Sequence, residues 1–321
     1  MEARRLDRFL LAAGSAVVPE LRCRDLGAAE FRRADAPRRA IVATALDTVS
    51  AIERKLAALR LGDEGSRLRT NVMTHIAWVP EEWVEAAEDV LAGLAERHPS
   101  RTIVLFPQSA GDGLEGKVES DSFPTSLGLM ICTDTIRIRL HGTSAEHPAS
   151  VVEPLLVSDL PVFVRWRGVP PFGDSAFEEL IEVADRLIVD STEWPGLPAP
   201  YARAAEIFDR VAVSDIAWAR TSRWRPMLAS LWPQIATVKQ IKVTGTEAQA
   251  NLLAGWLRSR LRRPIGLEHE PSDKLVGVEL DGEPAPFPPG DPPFPADLLS
   301  DELDKLNRDP VYEASVLAAV T

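Results

Sequence analysis

Tryptophan and arginine are concentrated between residues 160 and 232. LPVFVRWRG (160–168) and RLIVDS (186–191) each end a predicted strand, and SDIAWARTSRWRP (214–226) carries further residues of the same types. In an open parallel sheet, the carboxyl ends of the strands line the crevice where ligands bind. Arginine binds carboxylates and phosphates through paired hydrogen bonds, and both residue types are frequent anchors of protein interfaces. The sequence therefore predicts a partner- or ligand-binding site formed by Arg165, Trp166, Arg167, Asp190, Ser191, Asp215, Trp218, Arg220, Trp224 and Arg225.

The same residues are also compatible with a purely structural role. The tryptophans would then pack between domains, and the arginines would form ion pairs with Asp190 and Asp215. Residue types alone leave three hypotheses open, namely an interface, a small-ligand crevice and interdomain packing.

The elements that position this cluster predict an α/β fold of mixed α+β character. Val162–Trp166 and Arg186–Asp190 have the pattern of strands, and Asp174 between them can cap a helix. A strand, a helix and a second strand at this spacing predict a right-handed parallel crossover. The order strand–helix–strand–strand–helix occurs on both sides of it, at about 70–157 and 236–320. This repetition suggests two α/β lobes and an internal duplication.

The domain organisation follows from these elements. The predicted domains are an N-terminal helical segment (1–69), a first α/β lobe (70–160), a central crossover unit (161–235) and a second α/β lobe with a helical tail (236–321). In the first of these, apolar residues at helical spacing predict one long helix over 38–61. Within the last, residues 284–295 contain seven prolines in twelve positions, which predicts a stiff, extended linker at the surface.

Three glycines, Gly111, Gly113 and Gly116, form a G-x-G-x-x-G motif after a predicted strand. Such a motif binds a dinucleotide only where a helix begins at its last glycine and receives the pyrophosphate. The following KVESDSFP is short, polar and ended by Pro124, so a flexible hairpin loop is predicted instead. No cofactor is predicted.

The other reactive residue types are scattered along the chain. The histidines are His75, His98, His141, His147 and His269, without an H-x-x-x-H pair. His141 and His147 flank a turn and could share a metal with Asp134, which is a weak alternative. Cys23 and Cys132 could form a redox pair, but Cys132 has the position of a small hydrophobe on the apolar face of a strand. Since the sequence has neither a nucleophile elbow nor a P-loop, no catalytic or metal site is predicted.

Composition excludes several classes of protein. The 321 residues carry a formal net charge of −12 and a sequence pI of about 5.0, which argues against a general nucleic-acid binder. No apolar run approaches the roughly 20 residues that span a bilayer, so no membrane partner is expected. The apolar stretch at 9–13 is too short for a secretory signal. The length of the chain predicts two or three domains. Two cysteines are too few for a disulfide scaffold, so a cytoplasmic protein is predicted.

Six segments, in order, resemble the glucose-6-phosphate dehydrogenase assembly protein (OpcA) family. They are RHPSRTIVLFP (97–107), ICTDTIRIRLHG (131–142), HPASVVEPLLVSDLPVFVRWRG (147–168), ADRLIVDS (184–191), SDIAWARTSRWRPMLASLW (214–232) and LLAGWLRSRL (252–261). The resemblance covers about residues 70–280. Residues 1–69 match only loosely, and the proline-rich linker stands where the family has further strands.

The resemblance implies a non-catalytic partner that binds glucose-6-phosphate dehydrogenase, promotes its active oligomer and regulates its activity in the pentose phosphate pathway. A crevice that carries Trp and Arg, but no positioned nucleophile or acid–base pair, agrees with this role. The alternative is an enzyme or sensor that binds a phosphosugar or nucleotide in that crevice, because arginines at strand ends suit an anionic small ligand. A purely structural scaffold is a third hypothesis.

Overall fold

The computed structural model describes residues 38–41, 46–61, 67–68, 71–94, 98–124, 130–291, 293 and 295–321. The strands of the first sheet are β1 (Arg38–Ile41), β2 (Arg67–Leu68), β3 (Met73–Trp78), β4 (Ser100–Gln108), β5 (Gly113–Pro124), β6 (Met130–His141), β7 (Val162–Trp166), β8 (Arg186–Val189) and β9 (Ala212–Asp215). The second sheet contains β10 (Gln240–Gly245), β11 (Gly266–Pro271), β12 (Gly277–Leu280) and β13 (Glu283–Pro284). The helices are α1 (Val49–Leu61), α2 (Val84–Leu94), α3 (Thr143–Glu146), α4 (Ala149–Val152), α5 (Ser175–Glu182), α6 (Ala199–Ala205), α7 (Ile216–Arg220), α8 (Trp224–Ala229), α9 (Glu247–Leu261), α10 (Pro295–Leu303) and α11 (Pro310–Ala319).

The first sheet has the strand order β1-β5-β6-β4-β3-β7-β8-β9, with the short β2 beside β6. In this spatial order, β6, β4, β3, β7, β8 and β9 run parallel to one another. β5 pairs antiparallel with β6, and β1 pairs antiparallel with β5. Leaving β2 aside and numbering the parallel strands along the chain, the spatial order is 3-2-1-4-5-6, that of a doubly wound dinucleotide-binding sheet. The winding reverses between β3 and β7, where Ile76 pairs with Val164. This switch point is where such sheets have their crevice.

Both faces of the first sheet are covered, so β3 and β7 are buried over their whole length. Parallel strands between two helical layers are expected to be buried in this way. On one face, Ile76 and Val164 share a core with Leu180 of α5. On the other face, Phe163 shares a core with Leu299 of α10.

The second sheet has the order β11-β10-β12-β13 and packs against α9. This helix begins with a capping box, in which the side chains of Thr246 and Gln249 each accept the other residue's backbone N–H. α11 lies so close to α9 that a Cβ at Gly255 would overlap the carbonyl oxygen of Ser315. The glycine is therefore required for the helix contact.

The C-terminal helices return to the first sheet. His98, which precedes β4, contacts the hydroxyl of Ser300 on α10, with 2.6 Å between Nε2 and Oγ. The fully buried Arg186 of β8 donates to the carbonyl oxygen of Asn307, between α10 and α11. These contacts tie the end of the chain to strands formed far earlier in the sequence.

The proline-rich segment lies against α8. Arg223 donates from Nη2 to the carbonyl oxygens of Pro288 and Pro289, at 2.8 and 2.7 Å. Phe287 packs edge-on against Trp224, with 5.4 Å between the ring centroids. The predicted surface location of the segment holds for Phe287, whose side chain is 62% exposed, but the segment is also fixed to a helix.

Several predicted elements are confirmed. The fold is α/β with two sheets, and strands occupy Val162–Trp166 and Arg186–Val189. The side chain of Asp174 accepts the Ala176 N–H and caps α5, and Thr246 caps α9. The limits of the domains and the internal duplication stay predictions. The strand pairing of the two predicted lobes differs. In the first lobe, the third predicted strand (β6) pairs with the second (β4). In the second lobe, the third strand (β12) pairs with the first (β10).

Two local predictions are wrong. The predicted helix over 38–61 begins only at Val49, and Arg38–Ile41 is strand β1, which pairs with Glu119–Ser122 of β5. The loop predicted after Gly113 is β5 itself, whose twelve residues pair along β6. In both segments, pairing with a distant strand outweighs the local sequence pattern. The rest of the predicted N-terminal helical segment, up to residue 37, lies outside the described residues.

Candidate functional site

The carboxyl ends of β7, β8 and β9 bring the predicted site residues to one edge of the first sheet. Alternation along β7 places Arg165 and Arg167 on the face opposite to Trp166. Asp190 follows β8 and Asp215 ends β9, and each caps the helical turn that comes next. Capping explains why an aspartate stands at both strand ends, since its oxygens accept otherwise unpaired backbone N–H groups.

Glu193 links the two arginines of β7. Its Oε1 lies 3.0 Å from Nη2 of Arg165 and 3.1 Å from Nε of Arg167, and its Oε2 accepts the Gly168 N–H at 2.6 Å. Only 4% of the Arg165 side chain and 7% of the Glu193 side chain are exposed. Glu193 is not among the predicted site residues, although an acidic residue just after Ser191 at a strand end is a signal in the sequence.

Asp190 is held as a carboxylate by Arg220. Its Oδ1 lies 2.8 Å from Nη1 of Arg220 and accepts the Thr192 hydroxyl at 2.7 Å. Burial by itself would raise the pKa of Asp190, but the charge and hydrogen bond of Arg220, with Arg165 and Thr192, outweigh it and lower that pKa. Asp190 is therefore ionised at neutral pH.

Asp215 is the centre of a second buried network. Its Oδ1 accepts the N–H groups of Ser191 and Ala217 at 3.0 and 2.8 Å, and its Oδ2 lies 2.6 Å from Oγ of Ser191. The Ser191 hydroxyl is also 2.9 Å from the hydroxyl of Tyr201. Burial and the nearby Asp190 carboxylate raise the pKa of Asp215 to about 7. Because Ser191 and Tyr201 are fully buried, a substrate cannot reach this serine without a rearrangement.

Trp218 and Arg225 form the third group. The Trp218 indole donates to Oδ2 of Asp309 at 2.9 Å, and Cζ of Arg225 lies 3.6 Å from the centroid of the Trp218 ring. Burial lowers the pKa of Arg225 to about 10, which leaves it cationic at neutral pH. Trp224 is buried beneath Phe287.

Two stacked tryptophans occupy the switch point of the sheet. Trp78 ends β3 and Trp166 ends β7, and their rings lie 4.8 Å apart with 10° between the planes. Phe177 of α5 packs edge-on against Trp166 at 5.1 Å. Both tryptophans are buried, so aromatic rings pack together at the carboxyl ends of the two central strands.

The connection after β3 lacks the features that bind a pyrophosphate. In a dinucleotide-binding sheet, a glycine-rich turn at this position lets the phosphates approach a helix N-terminus. Here β3 is followed by Pro80 and by a helical turn that begins with Glu81 and Glu82. Their negative charges would repel a phosphate from the start of this helix. The Arg167 guanidinium lies 4.6 Å from the ring centroid of Trp83, over the same turn.

The ten residues of the predicted site fall into several groups. Arg165 and Arg167 share Glu193, Asp190 pairs with Arg220, Asp215 binds Ser191, and Arg225 stacks on Trp218. Trp166 stacks on Trp78 on the opposite face, and Trp224 packs against Phe287. Seven of the ten residues are buried, and the side chains of Arg167, Arg220 and Arg225 are partly exposed. Contact of these residues with a partner or ligand stays a prediction.

The remaining reactive residues have separate contacts. His141 Nδ1 lies 2.6 Å from the Ala110 carbonyl oxygen, and His147 Nδ1 lies 2.7 Å from Glu179 Oε1, so the two do not share a site. Within the described ranges, no group of three or more His, Cys, Asp or Glu side chains is arranged to hold a metal ion. Cys132 lies in β6, and Cys23 lies outside the described residues. None of the helices that the structure describes is long and apolar enough to cross a bilayer.

Fold and site together define a doubly wound α/β protein with two stacked tryptophans at the switch point of its sheet. Two family models match consecutive parts of the chain: a glucose-6-phosphate dehydrogenase subunit N-terminal domain over residues 92–206 and the corresponding C-terminal domain over residues 211–286. These matches together cover more than half of the sequence, and the chain belongs to the OpcA family.

Three curated relatives from cyanobacteria are each named as a candidate OxPP cycle protein OpcA. The protein from Nostoc punctiforme is 28% identical over 194 residues, which is 56% of this chain and 42% of the relative. That from Synechocystis is 26% identical over 192 residues, 56% of this chain and 40% of the relative. The protein from Synechococcus elongatus is 26% identical over 244 residues, which is 67% of this chain and 54% of the relative. The chain thus spans about half the length of these relatives, or less.

A solved structure with some similarity is the WlbA (WbpB) dehydrogenase from Thermus thermophilus in complex with NAD and UDP-GlcNAcA. The alignment has a TM-score of 0.40 and 15% sequence identity, and it covers 77% of this chain and 94% of the dehydrogenase chain. A likeness at this level carries no conclusion about the activity of this protein.

Proposed function

We propose that this protein is a non-catalytic partner of glucose-6-phosphate dehydrogenase, which promotes assembly of the enzyme and regulates its activity allosterically. Membership of the OpcA family supports the partner, because both matching family models are described as parts of a glucose-6-phosphate dehydrogenase subunit. The proposed setting is the oxidative pentose phosphate pathway in the cytoplasm.

The stack of Trp78 and Trp166 is the observation that carries the non-catalytic part of the proposal. The rings lie at the carboxyl ends of the two strands that flank the switch point, and this is the region where a doubly wound enzyme holds its cofactor or substrate. The buried ion pairs support the same view, because Arg165 and Arg167 share the Glu193 carboxylate within the fold. An arginine that is already paired and buried gains little from a small anionic ligand.

The partly exposed arginines are the part of the predicted site that is available to a protein partner. Arg167, Arg220 and Arg225 are each partly exposed, and arginine is a frequent interface anchor. The seven buried residues then hold these three in position. A protein that binds the active oligomer more tightly than other states shifts the population toward that oligomer, so regulation needs no chemistry of its own.

The alternative is an enzyme or sensor that binds a phosphosugar or nucleotide at the same edge. The cluster of guanidinium groups favours it, because each could bind a phosphate if its internal carboxylate moved away. This alternative requires that the Arg220–Asp190 pair, with 2.8 Å between Nη1 and Oδ1, opens when ligand binds.

Mixing the purified chain with glucose-6-phosphate dehydrogenase from the same organism tests the proposal. Co-elution on a sizing column and a changed dehydrogenase rate are expected, and the chain alone is expected to turn over no sugar phosphate. Turnover by the chain alone would overturn the proposal in favour of an enzyme. Co-elution without any kinetic effect would leave a scaffold, and neither binding nor a kinetic effect would overturn the partner role.

An Arg220→Lys variant tests the location of the interface. Lysine keeps a cation beside Asp190 but loses the planar fork of the guanidinium, so we expect binding to the dehydrogenase to weaken about tenfold, or 1.4 kcal/mol, without unfolding. Arg210→Lys is the matched control, because Arg210 forms a comparable ion pair with Glu178 on the exposed surface, at 2.6 Å. Equal binding by the two variants would exclude Arg220 as a contact.

A further inference from the structure

Strand β11 forms an open edge of the second sheet. The sheet order β11-β10-β12-β13 places β11 at one end and β13 at the other. β13 consists only of Glu283 and Pro284, so it offers little backbone for pairing, and its proline has no N–H. β11 has six residues, Gly266–Pro271, which is a length of about 20 Å. A further strand would therefore add to this sheet at β11.

The backbone groups of β11 alternate between β10 and the open side. The Gly266 N–H donates to the Lys239 carbonyl oxygen at 2.8 Å, so the even-numbered residues face β10. Successive residues of a strand point their N–H and C=O groups to opposite sides, and those of Leu267 and His269 therefore face away from β10. Within the described ranges, no backbone group pairs with this side of β11. Such an edge is a template for pairing with another chain.

The exposed face of the second sheet is acidic beside this edge. α9 packs on the other face, where Val243 is fully buried. On the exposed face, the side chains of Glu268 and Glu270 are each 54% exposed. Nζ of Lys242 lies 3.0 Å from Oε2 of Glu270, 4.0 Å from Oε1 of Glu268 and 3.6 Å from Oε1 of Glu279. Three carboxylates thus share one ammonium group.

The charges of β11 disfavour pairing with a second copy of the chain. Two antiparallel β11 strands centred on Glu268 would place this glutamate opposite itself, and centring on His269 would place it opposite Glu270. Like charges directly opposite each other destabilise a sheet, whereas opposite charges stabilise it. A strand with Lys or Arg at every second position would meet both glutamates. Its intervening residues would lie on the α9 face beside the half-buried Leu267, where apolar side chains fit.

We propose that β11 is a docking edge for an extended segment of another protein, in which basic and apolar residues alternate. The segment extends the second sheet by one strand, with backbone hydrogen bonds to Leu267 and His269. Its basic side chains lie beside Glu268 and Glu270, and these pairs supply the selectivity. The inference does not depend on the proposed partner role, because the predicted site lies on the first sheet.

A synthetic nine-residue peptide of alternating valine and lysine is the probe, and amide hydrogen exchange of the full wild-type chain is the measurement. In the free chain, the Leu267 and His269 amides should exchange rapidly because they face solvent. Saturating peptide should slow both by about tenfold or more. The Gly266 amide should not change, since it is already bonded to Lys239.

Two control peptides separate backbone pairing from simple charge attraction. A peptide with glutamate in place of lysine should bind weakly, because it repels Glu268 and Glu270. A valine–lysine peptide that is N-methylated at every residue keeps its charges but cannot donate hydrogen bonds, so it should not protect the Leu267 and His269 amides. Equal protection by either control peptide would overturn the proposal.

A double variant, Glu268→Gln with Glu270→Gln, tests the selectivity by titration calorimetry. It removes both cross-strand ion pairs at nearly constant size, so binding of the valine–lysine peptide should weaken about fivefold. Glu283→Gln, at an exposed glutamate of β13 on the opposite edge, is the matched control and should bind normally. Equal binding by the double variant would overturn the proposal.

Three results with the wild-type chain would also overturn the proposal, whether or not the variants fold. The first is the absence of protection by the valine–lysine peptide. The second is slow exchange of the Leu267 and His269 amides in the free chain, which would mean that the edge is already covered. The third is protection that rises with protein concentration alone, which would mean that a second copy pairs with β11.

Discussion

Replacing Asp215 by Asn should change how the free energy of unfolding depends on pH. Asparagine has nearly the same shape as a protonated aspartic acid, so its Oδ1 can still accept the N–H groups of Ser191 and Ala217. Its amide nitrogen takes the place of Oδ2, 2.6 Å from the Ser191 hydroxyl, and can donate to it. The variant therefore reproduces the neutral form of Asp215 and removes only its titration.

The magnitude follows from the two pKa values of Asp215. In the folded chain the pKa is about 7, against an ordinary value of 3.8, so the folded state holds the proton more tightly than the unfolded state. The stability that this group contributes is complete at low pH and is lost as pH rises between these values. At about 1.36 kcal/mol per pKa unit, the loss between pH 5 and pH 8 is about 2–3 kcal/mol.

His75 acts in the opposite direction. Burial lowers its pKa to about 4 from 6.5, so the stability it contributes is present above pH 6.5 and is lost as pH falls toward 4. By pH 5 this loss is about 2 kcal/mol. The two groups nearly cancel in the wild-type chain, whose stability should therefore depend only weakly on pH over this range. The Asp215→Asn variant should instead become more stable by about 2 kcal/mol as pH rises from 5 to 8.

Urea unfolding of both proteins at pH 5, 6, 7 and 8 measures the difference. The quantity to compare is the free energy of unfolding of the variant minus that of the wild type, because the other titrating groups that interact with Asp215, which are Asp190, Tyr201 and Tyr312, remain in both. This difference should grow by about 2–3 kcal/mol in favour of the variant between pH 5 and pH 8. Asp209→Asn is the control, since its side chain is fully exposed. A difference that stays constant within about 0.5 kcal/mol would refute the raised pKa of Asp215.

Three further predictions concern packing. Trp166→Ala should lower the free energy of unfolding by about 3–5 kcal/mol, because it empties a buried stack; Trp232→Ala, at a side chain that is 66% exposed, should cost less than about 0.5 kcal/mol in the same urea titration. Gly255→Ala should lower the free energy of unfolding by about 1–3 kcal/mol, which lowers the melting temperature by several degrees, and should expose α11 to proteolysis. Gly266→Ala, where the nearest atom to a new Cβ is 3.7 Å away, should not expose α11. Arg223→Ala should release the proline-rich segment, seen as loss of the Phe287–Trp224 ring contact in nuclear Overhauser spectra, with a stability change below about 1 kcal/mol; an unchanged contact would contradict the role of Arg223.

The local parts of the fold could be predicted because their signals are local. The strand Val162–Trp166 is a continuous run of buried residues, and the caps at Asp174 and Thr246 are formed within three residues of each aspartate or threonine. The helix over 38–61 and the loop after Gly113 failed for the opposite reason. Arg38–Ile41 and Gly113–Pro124 are strands because of partners that only the folded chain brings together, whereas the helix is confirmed over Val49–Leu61.

In the candidate site too, the features set by one strand could be predicted, and the contacts between elements could not. The sequence identified that Arg165 and Asp190 lie at strand ends, since those positions follow from single strands. Asp215 was placed in the same cluster, but the strand that it ends, β9, was not predicted. It could not identify that Glu193 pairs with both arginines, or that Trp78 stacks on Trp166, because each contact joins different strands or turns. Burial of the site is likewise a property of the helical layers, and residue types at strand ends do not reveal it.

The return of α10 to the first sheet has a consequence for folding kinetics. His98 and Ser300 are in contact although they are 202 residues apart in the chain. Until that loop closes, the sheet face that carries Phe163 and Ile188, which share a core with α10, lies open to solvent. Contacts of such long range slow folding, and an open apolar face promotes association between partly folded chains. Refolding yield should therefore fall steeply with protein concentration, and chaperones that bind exposed apolar surface should restore it.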